Sequence, residues 1–189
     1  SIMGQGTVTG NGGCIIINSG GMVNLNDITI GGFRVDGNGG AIYVASGATL
    51  NMYGAVIGDI NARTKGDITV SGQVISDNPW SNHTGLSSGN VCTGQGGGIS
   101  VYGTFTMYSG NICGNVSIDR AANDGGGGLY VSSNSVVNIR SGSISYNVGN
   151  SGGAIYSDGV PTIGSADGPP VLFEGNVASV GVNSGGCGN

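Results

Sequence analysis

The fold is decided by one stretch of the sequence, Gly97-Gly98-Ile99-Ser100-Val101-Tyr102-Gly103-Thr104-Phe105-Thr106-Met107-Tyr108-Ser109-Gly110-Asn111-Ile112-Cys113-Gly114-Asn115. Apolar residues alternate with polar ones at Ile99 and Val101, and again at Phe105 and Met107. Such alternation is typical of strands that bury one face. Because glycines separate the segments, the stretch predicts three short strands that make one triangular coil.

The same phrase returns along the chain at intervals of roughly 26 to 33 residues, apart from one interval of double length, and such a period indicates a solenoid. Its copies are Gly12-Gly13-Cys14-Ile15, Gly39-Gly40-Ala41-Ile42, Gly127-Gly128-Leu129-Tyr130, Gly152-Gly153-Ala154-Ile155 and Gly185-Gly186-Cys187. We therefore expect an all-β protein, a right-handed parallel β-helix of about six to seven coils, with residues 1–189 forming one domain.

Aligning the copies position by position predicts which side chains form the core. We expect inward-facing side chains at Ile42, Val44, Leu50, Met52, Ile99, Val101, Phe105, Met107, Ile112, Leu129, Val131, Ile139 and Ile144. The long interval from Gly39 to Gln95 is interpreted as two coils, with Ile68, Val70 and Ile75 in the second. Residues 77–95, which include Pro79 and Trp80, are predicted to form a loop expelled from the stack.

A second phrase, an apolar residue followed three positions later by asparagine, closes several copies. The asparagines are Asn78, Asn115, Asn147 and Asn176. Side-chain amides stacked at one turn of every coil can form a hydrogen-bonded ladder. Ordinary turn asparagines are the alternative for any single position, and the recurrence favours the ladder.

These two phrases together resemble the repeats of the polymorphic outer membrane protein family and of related right-handed parallel β-helix adhesins. The resemblance covers nearly the whole chain, and Phe173-Glu174-Gly175-Asn176 matches the family motif. It implies a surface-displayed β-helix with a role in adhesion or structure. The sequence contains no translocator barrel of the kind that the family carries.

The amino-acid composition excludes some classes of binding partner. The chain has 189 residues, of which 42 are glycine, and only 8% are charged, with a net charge of -5. Five Lys and Arg residues cannot form a basic face, so nucleic acid is not an expected partner. The sequence has no apolar run long enough for a membrane span. Abundant Asn, Ser, Thr and Gly, with four cysteines, favour an extracellular or cell-surface location.

The acidic residues do not indicate catalysis. Parallel β-helix enzymes need carboxylates clustered on neighbouring coils, and no two acids of this chain share a strand position in adjacent coils. We therefore predict that the protein is not an enzyme and has no catalytic residue, metal site or cofactor.

Two surface features, a column of tyrosines and a glycosylation sequon, lead to further predictions. Tyr43, Tyr130 and Tyr156 share one first-strand position, with Ser100 and Ile16 completing the column. This aromatic column is predicted either to bind carbohydrate or a host surface, or to stabilise the sheet by cross-coil stacking. Asn82 lies in a glycosylation sequon of the predicted loop and is the expected glycan site, whereas the sequon at Asn115 belongs to the ladder.

The ends of the repeat array suggest the function. Val8-Thr9-Gly10-Asn11 resembles the end of a coil, and Gly185-Gly186-Cys187 resembles the beginning of one. We therefore expect copies of the protein to stack head to tail into a fibre, with Val8, Asn11, Cys14 and Cys187 at the junction. Cys92 and Cys113 are then expected to pair within the chain or stay reduced. The alternatives are a monomeric adhesin or glycan-binding module, and a segment of a longer surface protein.

Overall fold

The computed structural model describes residues 1–4, 7–59, 68–70, 73–75, 89–118 and 125–178. This part of the chain folds as a parallel β-solenoid and forms no helix, so no helix here is long and apolar enough to cross a membrane. Five complete coils follow a half coil. The prediction of an all-β solenoid is confirmed, with a coil number close to the expected six to seven.

Four parallel sheets wall the solenoid, and each coil contributes one strand to each sheet. Sheet 1 contains β3 (Ile15–Ile17), β7 (Ile42–Val44), β13 (Ile99–Val101), β17 (Leu129–Val131) and β21 (Ile155–Ser157). Sheet 2 contains β4 (Met22–Asn26), β8 (Thr49–Tyr53), β14 (Thr104–Met107), β18 (Val136–Ile139) and β22 (Thr162–Ile163).

The other two sheets also include the half coil. Sheet 3 contains β1 (Ile2–Met3), β5 (Thr29–Gly31), β9 (Ala55–Gly58), β15 (Gly110–Cys113), β19 (Gly142–Ser145) and β23 (Val171–Glu174). Sheet 4 contains β2 (Thr7–Thr9), β6 (Arg34–Asp36), β12 (Val91–Cys92), β16 (Val116–Ser117), β20 (Val148–Gly149) and β24 (Val177–Ala178). The triangular coil of three strands was therefore wrong, because a fourth strand follows the asparagine turn.

The interval from Gly39 to Gln95 is one coil with an insertion, and the interpretation as two coils was wrong. The strands β7, β8 and β9 are followed in the same coil by β12, so the inserted residues separate sheet 3 from sheet 4. Within the insertion, β10 (Ile68–Val70) pairs antiparallel with β11 (Gln73–Ile75), outside the parallel sheets. The predicted loop of residues 77–95 also ends earlier than expected, because Val91 pairs with Arg34 and Val116 in sheet 4.

The predicted core is confirmed in full. All thirteen expected side chains are completely buried and belong to one cluster that follows the solenoid axis. Their register is also as predicted, for example Ile99 between Ile42 and Leu129, and Phe105 between Leu50 and Val137. Equivalent side chains thus stack directly on one another from coil to coil.

The repeated glycine pair permits close packing of the backbone where each coil begins. Gly39 and Gly96 adopt left-handed geometry, with φ of 69° and 73°. The next glycine of each copy has no room for a side chain: a Cβ on Gly97 would overlap with the carbonyl oxygen of Gly127 and the main chain of Val116. The phrase therefore reflects a turn followed by backbone contact with sheet 4 and with the next coil.

Candidate functional site: ladders and ends of the solenoid

An asparagine ladder follows the turn between sheets 3 and 4. The Nδ2 of Asn90, Asn115 and Asn147 donates to the Oδ1 of the asparagine in the next coil, over 2.9, 3.0 and 3.0 Å. The members are Asn90, Asn115, Asn147 and Asn176. The sequence had predicted Asn78 in the first of these places, but Asn78 lies outside the described residues and Asn90 occupies that position.

Each ladder amide is also bonded to the backbone. The Nδ2 of Asn115 donates to the carbonyl oxygen of Ile57 at 2.9 Å, and the Oδ1 of Asn147 accepts from the main-chain N–H of Asn115 at 2.9 Å. Asn90, Asn115 and Asn147 are completely buried. A buried amide with both of its ends satisfied stabilises the turn instead of costing desolvation energy. The sequon at Asn115 is therefore enclosed in the fold, and the predicted glycan site Asn82 lies outside the described residues.

Four tyrosines form a continuous column on sheet 1. The register places Ser100 between Tyr43 and Tyr130, and Tyr130 beside Tyr156, as predicted. Since Ser100 has no ring, the ring of Tyr102 occupies its place in the column. The Tyr102 centroid lies 5.3 Å from that of Tyr43 and 5.6 Å from that of Tyr130. Tyr130 and Tyr156 are stacked at 6.1 Å with an interplanar angle of 8°.

Tyr102 was missed because the prediction compared strand positions only, whereas Tyr102 is the first residue after β13. Its hydroxyl donates to Oε1 of Gln95 at 2.6 Å, and the hydroxyl of Tyr130 donates to Oδ2 of Asp158 at 2.7 Å. The rings of Tyr102 and Tyr130 each lie between two other rings, so a sugar cannot stack on them. The column geometry favours the stabilising role over carbohydrate binding.

A second aromatic pair lies at the end of sheet 2 and is open to solvent. Tyr53 and Tyr108 stack with centroids 4.5 Å apart and an interplanar angle of 7°, and they are 37% and 36% exposed. The guanidinium of Arg140, in the following coil, lies 4.9 Å from the ring centroid of Tyr108. Such a cation over an aromatic ring is a favourable contact. Periodicity alone did not identify this pair.

Cys92 and Cys113 are free thiols in the structure, which corresponds to the reduced form of the two expected alternatives. Cys92 lies in sheet 4 and its thiol donates to the carbonyl oxygen of Gly94 at 2.9 Å. Cys113 lies in sheet 3, where it pairs with Gly58 and Ser145. Burial, followed by the charge of Asp59, raises the pKa of the Cys113 thiol to about 12. The protonated thiol is unreactive at neutral pH.

Three of the four predicted junction residues, Val8, Asn11 and Cys14, lie at the N-terminal end of the solenoid. Val8 pairs with buried Val35 but is itself 45% exposed. Asn11 accepts a hydrogen bond at Oδ1 from the N–H of Asn38. Cys14 is half-buried against the core, and burial raises its pKa. Cys187 lies outside the described residues.

Residues at core positions are also exposed at the C-terminal end. Phe173 pairs with completely buried Ile144, and Ile163 pairs with completely buried Ile139. Yet Phe173 is 42% exposed and Ile163 is 47% exposed. At the opposite end Ile2, which pairs with buried Ile30, is 43% exposed. Both ends of the described stack therefore present core side chains to solvent.

Within the described ranges, no group of three or more His, Cys, Asp and Glu side chains could hold a metal ion. The comparison of this chain with protein-family models, with curated proteins and with solved structures gives no significant match. The repeat solenoid fold is thus shown by the structure, and the resemblance to a particular adhesin family remains an expectation.

Proposed function

We propose that the protein is a structural β-solenoid that stacks head to tail on copies of itself, and so forms a fibre outside the cell or on its surface. The observation that carries the proposal is the exposure of core-position side chains at both ends, chiefly Ile2 and Val8 at one end and Phe173 at the other. Because each of these side chains is a little under half exposed, burying the rest of it stabilises an interface by about 1 kcal/mol.

The backbone supports the same arrangement. In the described part of the chain, the outermost strand of each sheet has a neighbour on one side only. These strands are β1 to β4 at the N-terminal end and β21 to β24 at the C-terminal end. Unpaired strand edges are templates for further pairing. A second copy that continues the register of sheet 3 would place its Ile2 beside Phe173, because both occupy the column of Ile30, Ile57, Ile112 and Ile144.

Stacking of this kind joins two different surfaces and does not close into a ring, so it continues into a filament. One variant at each end is expected to block it. Val8→Asp and Phe173→Asp should each give monomers when alone, because a carboxylate in the junction must be desolvated without a partner. When the two variants are mixed, each still has one intact end, and the mixture should form dimers that grow no further.

Sedimentation velocity and electron microscopy of the parent chain, the two variants and their mixture test the proposal. Thr9→Asp and Leu172→Asp are the matched controls, because these exposed residues adjoin Val8 and Phe173 on the same strands. Both controls should still form fibres. A parent chain that stays monomeric at high concentration would contradict the proposal.

A glycan-binding or adhesive module is the second candidate, and the Tyr53–Tyr108 pair with Arg140 favours it. Arg140 lies over the ring of Tyr108, while both tyrosines are more than a third exposed to solvent. Exposed aromatic rings beside polar groups are common in carbohydrate sites. Binding to a glycan array that is lost in Tyr53→Ala, and kept in Tyr43→Ala, would support this candidate.

A further inference from the structure

The stacked rings of Tyr53 and Tyr108 are both closer together and more exposed than the rings of the sheet 1 column. Their centroids are 4.5 Å apart, whereas the column pairs are 5.3, 5.6 and 6.1 Å apart. Tyr53 and Tyr108 are 37% and 36% exposed, but Tyr130, which belongs to two of the column pairs, is only 5% exposed. A dissolved reagent therefore reaches the Tyr53–Tyr108 pair more readily than the column.

The backbone brings equivalent atoms of the two rings together. Met52 pairs in parallel register with Met107, so Tyr53 and Tyr108, the residues that follow them, leave neighbouring coils on the same outer face of sheet 2. The ring planes differ by only 7°, and the ortho carbon beside one hydroxyl thus lies opposite the ortho carbon beside the other. Partial burial, followed by a hydrogen bond with Tyr108, raises the pKa of Tyr53, so its hydroxyl keeps the proton at neutral pH.

The pair also lies on either side of the insertion in the second complete coil. Tyr53 ends β8, before the insertion between sheets 3 and 4, whereas Tyr108 directly follows β14 in the third complete coil. A covalent bond between the two rings would therefore close a chain loop that contains the whole insertion. Cross-links across long loops stabilise a fold, because they restrict the unfolded chain.

We propose that Tyr53 and Tyr108 are a modification site, at which a haem peroxidase acting with hydrogen peroxide couples the two rings into a dityrosine. The product is a covalent staple between the second and third complete coils. Both residues belong to one chain and lie on the side of the solenoid, away from its ends. The inference therefore does not depend on head-to-tail stacking.

The coupling balances with one peroxide for each staple. The peroxidase removes one electron and the hydroxyl proton from each ring, which gives two tyrosyl radicals. The radicals combine through their ortho carbons, a C–C bond forms, and each ortho carbon then gives up its hydrogen while the ring oxygen regains a proton. Hydrogen peroxide accepts the two electrons and two protons in total and becomes two molecules of water.

The test treats the intact chain with a haem peroxidase and hydrogen peroxide, in dilute solution so that coupling between chains is rare. Size-exclusion chromatography isolates the monomer, and the blue fluorescence of dityrosine reports the product. Mass spectrometry of proteolytic fragments should identify one cross-linked peptide that contains Tyr53 and Tyr108 and lacks two hydrogen atoms. Peroxide without the peroxidase should give no dityrosine.

Phenylalanine variants identify the coupled pair, because they keep the stacked ring and remove the hydroxyl. Tyr53→Phe and Tyr108→Phe should each lose the fluorescence of the monomer. Tyr156→Phe is the matched control, since Tyr156 also stacks on a neighbouring tyrosine, with an interplanar angle of 8°, but its partner Tyr130 is buried. This control should give as much dityrosine as the parent.

The staple should also change stability. We expect the Tm of the oxidised parent to rise by about 10 °C, as for a disulfide that closes a loop of this length, and the Tm of oxidised Tyr108→Phe not to rise. Dityrosine that forms equally in Tyr53→Phe or Tyr108→Phe would overturn the site. A parent monomer that gains no dityrosine, under conditions that couple free tyrosine, would also overturn it.

Discussion

At the scale of single residues, the glycine two positions before the first strand of each coil decides how closely the coils approach. Gly97 is the clearest case, because a Cβ there would overlap with main-chain atoms of both the next coil and sheet 4. Main-chain atoms cannot rotate away as the end of a side chain can. We therefore expect Gly97→Ala to lower the free energy of unfolding by about 3 kcal/mol or more, as for overpacked cores.

The matched control is Gly20→Ala. Gly20 has a φ of 80°, but nothing lies within 4 Å of its Cβ position. At Gly20 only the strain of left-handed geometry should lower the free energy of unfolding, by about 1 to 2 kcal/mol. Urea unfolding of both variants, followed by circular dichroism, measures the difference. A Gly97→Ala variant that loses no more stability than Gly20→Ala would mean that the neighbouring main chain can move aside, and that close approach does not select glycine at this position.

The Cys113 thiol provides a pH test at the same scale. Its pKa is raised from an ordinary value of 9.0 to about 12, chiefly by burial and then by Asp59. The folded state thus keeps the proton that the unfolded state loses between these values. The contribution of Cys113 to stability is full below pH 9 and is lost as the pH rises toward 12.

Two measurements check this. Iodoacetamide should label Cys113 at pH 8 only after unfolding, as site-resolved mass spectrometry can show. The stability difference between the parent and Cys113→Ala should be constant from pH 6 to 8.5 and should shrink above pH 9. Rapid labelling of Cys113 in the native protein would mean that the thiol is not enclosed.

The asparagine ladder shows what a sequence pattern can and cannot determine at this scale. The three-residue spacing from a core residue to asparagine placed Asn115, Asn147 and Asn176 correctly, since hydrogen bonds join all three. It did not identify Asn90, which is the ladder member in that coil, and the predicted Asn78 lies outside the described residues. The long insertion after Asp59 separates Asn90 from its core residue Ile57, so no local spacing could identify the pair.

At the scale of strands and sheets, alternation predicted the first three sheets and missed the fourth. The strands of sheet 4 are mostly two residues long, for example Val116–Ser117, and so short a segment shows no alternation. Their place in the fold comes from pairing with equivalent strands of neighbouring coils, which is long-range information. The antiparallel pairing of Ile68–Val70 with Gln73–Ile75 was missed for a related reason, because its apolar residues imitate those of a coil.

The tyrosine column is the element whose energetics are easiest to test. Without the ring of Tyr102, the rings of Tyr43 and Tyr130 would stand two coils apart, about 9.6 Å, and could not touch. Tyr102→Ala removes two ring contacts and uncovers Ser100, which is completely buried. We expect a loss of about 2 to 3 kcal/mol in the free energy of unfolding.

Two further variants separate the contributions of the ring and of the hydroxyl to that loss of stability. Tyr102→Phe keeps the ring and removes the hydroxyl that donates to Gln95, at a cost of about 1 kcal/mol. Tyr156→Ala removes a ring that contacts only Tyr130 in the column and should cost less than Tyr102→Ala. Chemical denaturation of the three variants gives the free energy of unfolding of each, and so the order of their losses. A Tyr102→Ala variant as stable as the parent would remove the stabilising role and leave the column available for ligand binding.

At the scale of the whole molecule, each coil contacts only its neighbours, so stability depends on position along the axis. The three central coils have completely buried core residues such as Ile57, Ile112 and Ile144, whereas the last coil exposes Phe173 and Ile163. Amide hydrogens of β13 to β19 should therefore exchange most slowly, and those of β1, β2, β22 and β23 most rapidly. Hydrogen exchange with mass spectrometry gives this profile directly.

The same experiment distinguishes a free end from a stacking end. If copies join head to tail, a higher protein concentration buries Val8 and Phe173 and pairs the terminal strands. Exchange in β1, β2, β23 and β24 should then slow as concentration rises, while exchange in β14 and β15 stays constant. The Phe173→Asp variant should lose the concentration dependence, and Leu172→Asp should keep it. Terminal strands whose exchange is independent of concentration would show that the exposed core residues remain solvated, and end-to-end assembly would be excluded for this chain.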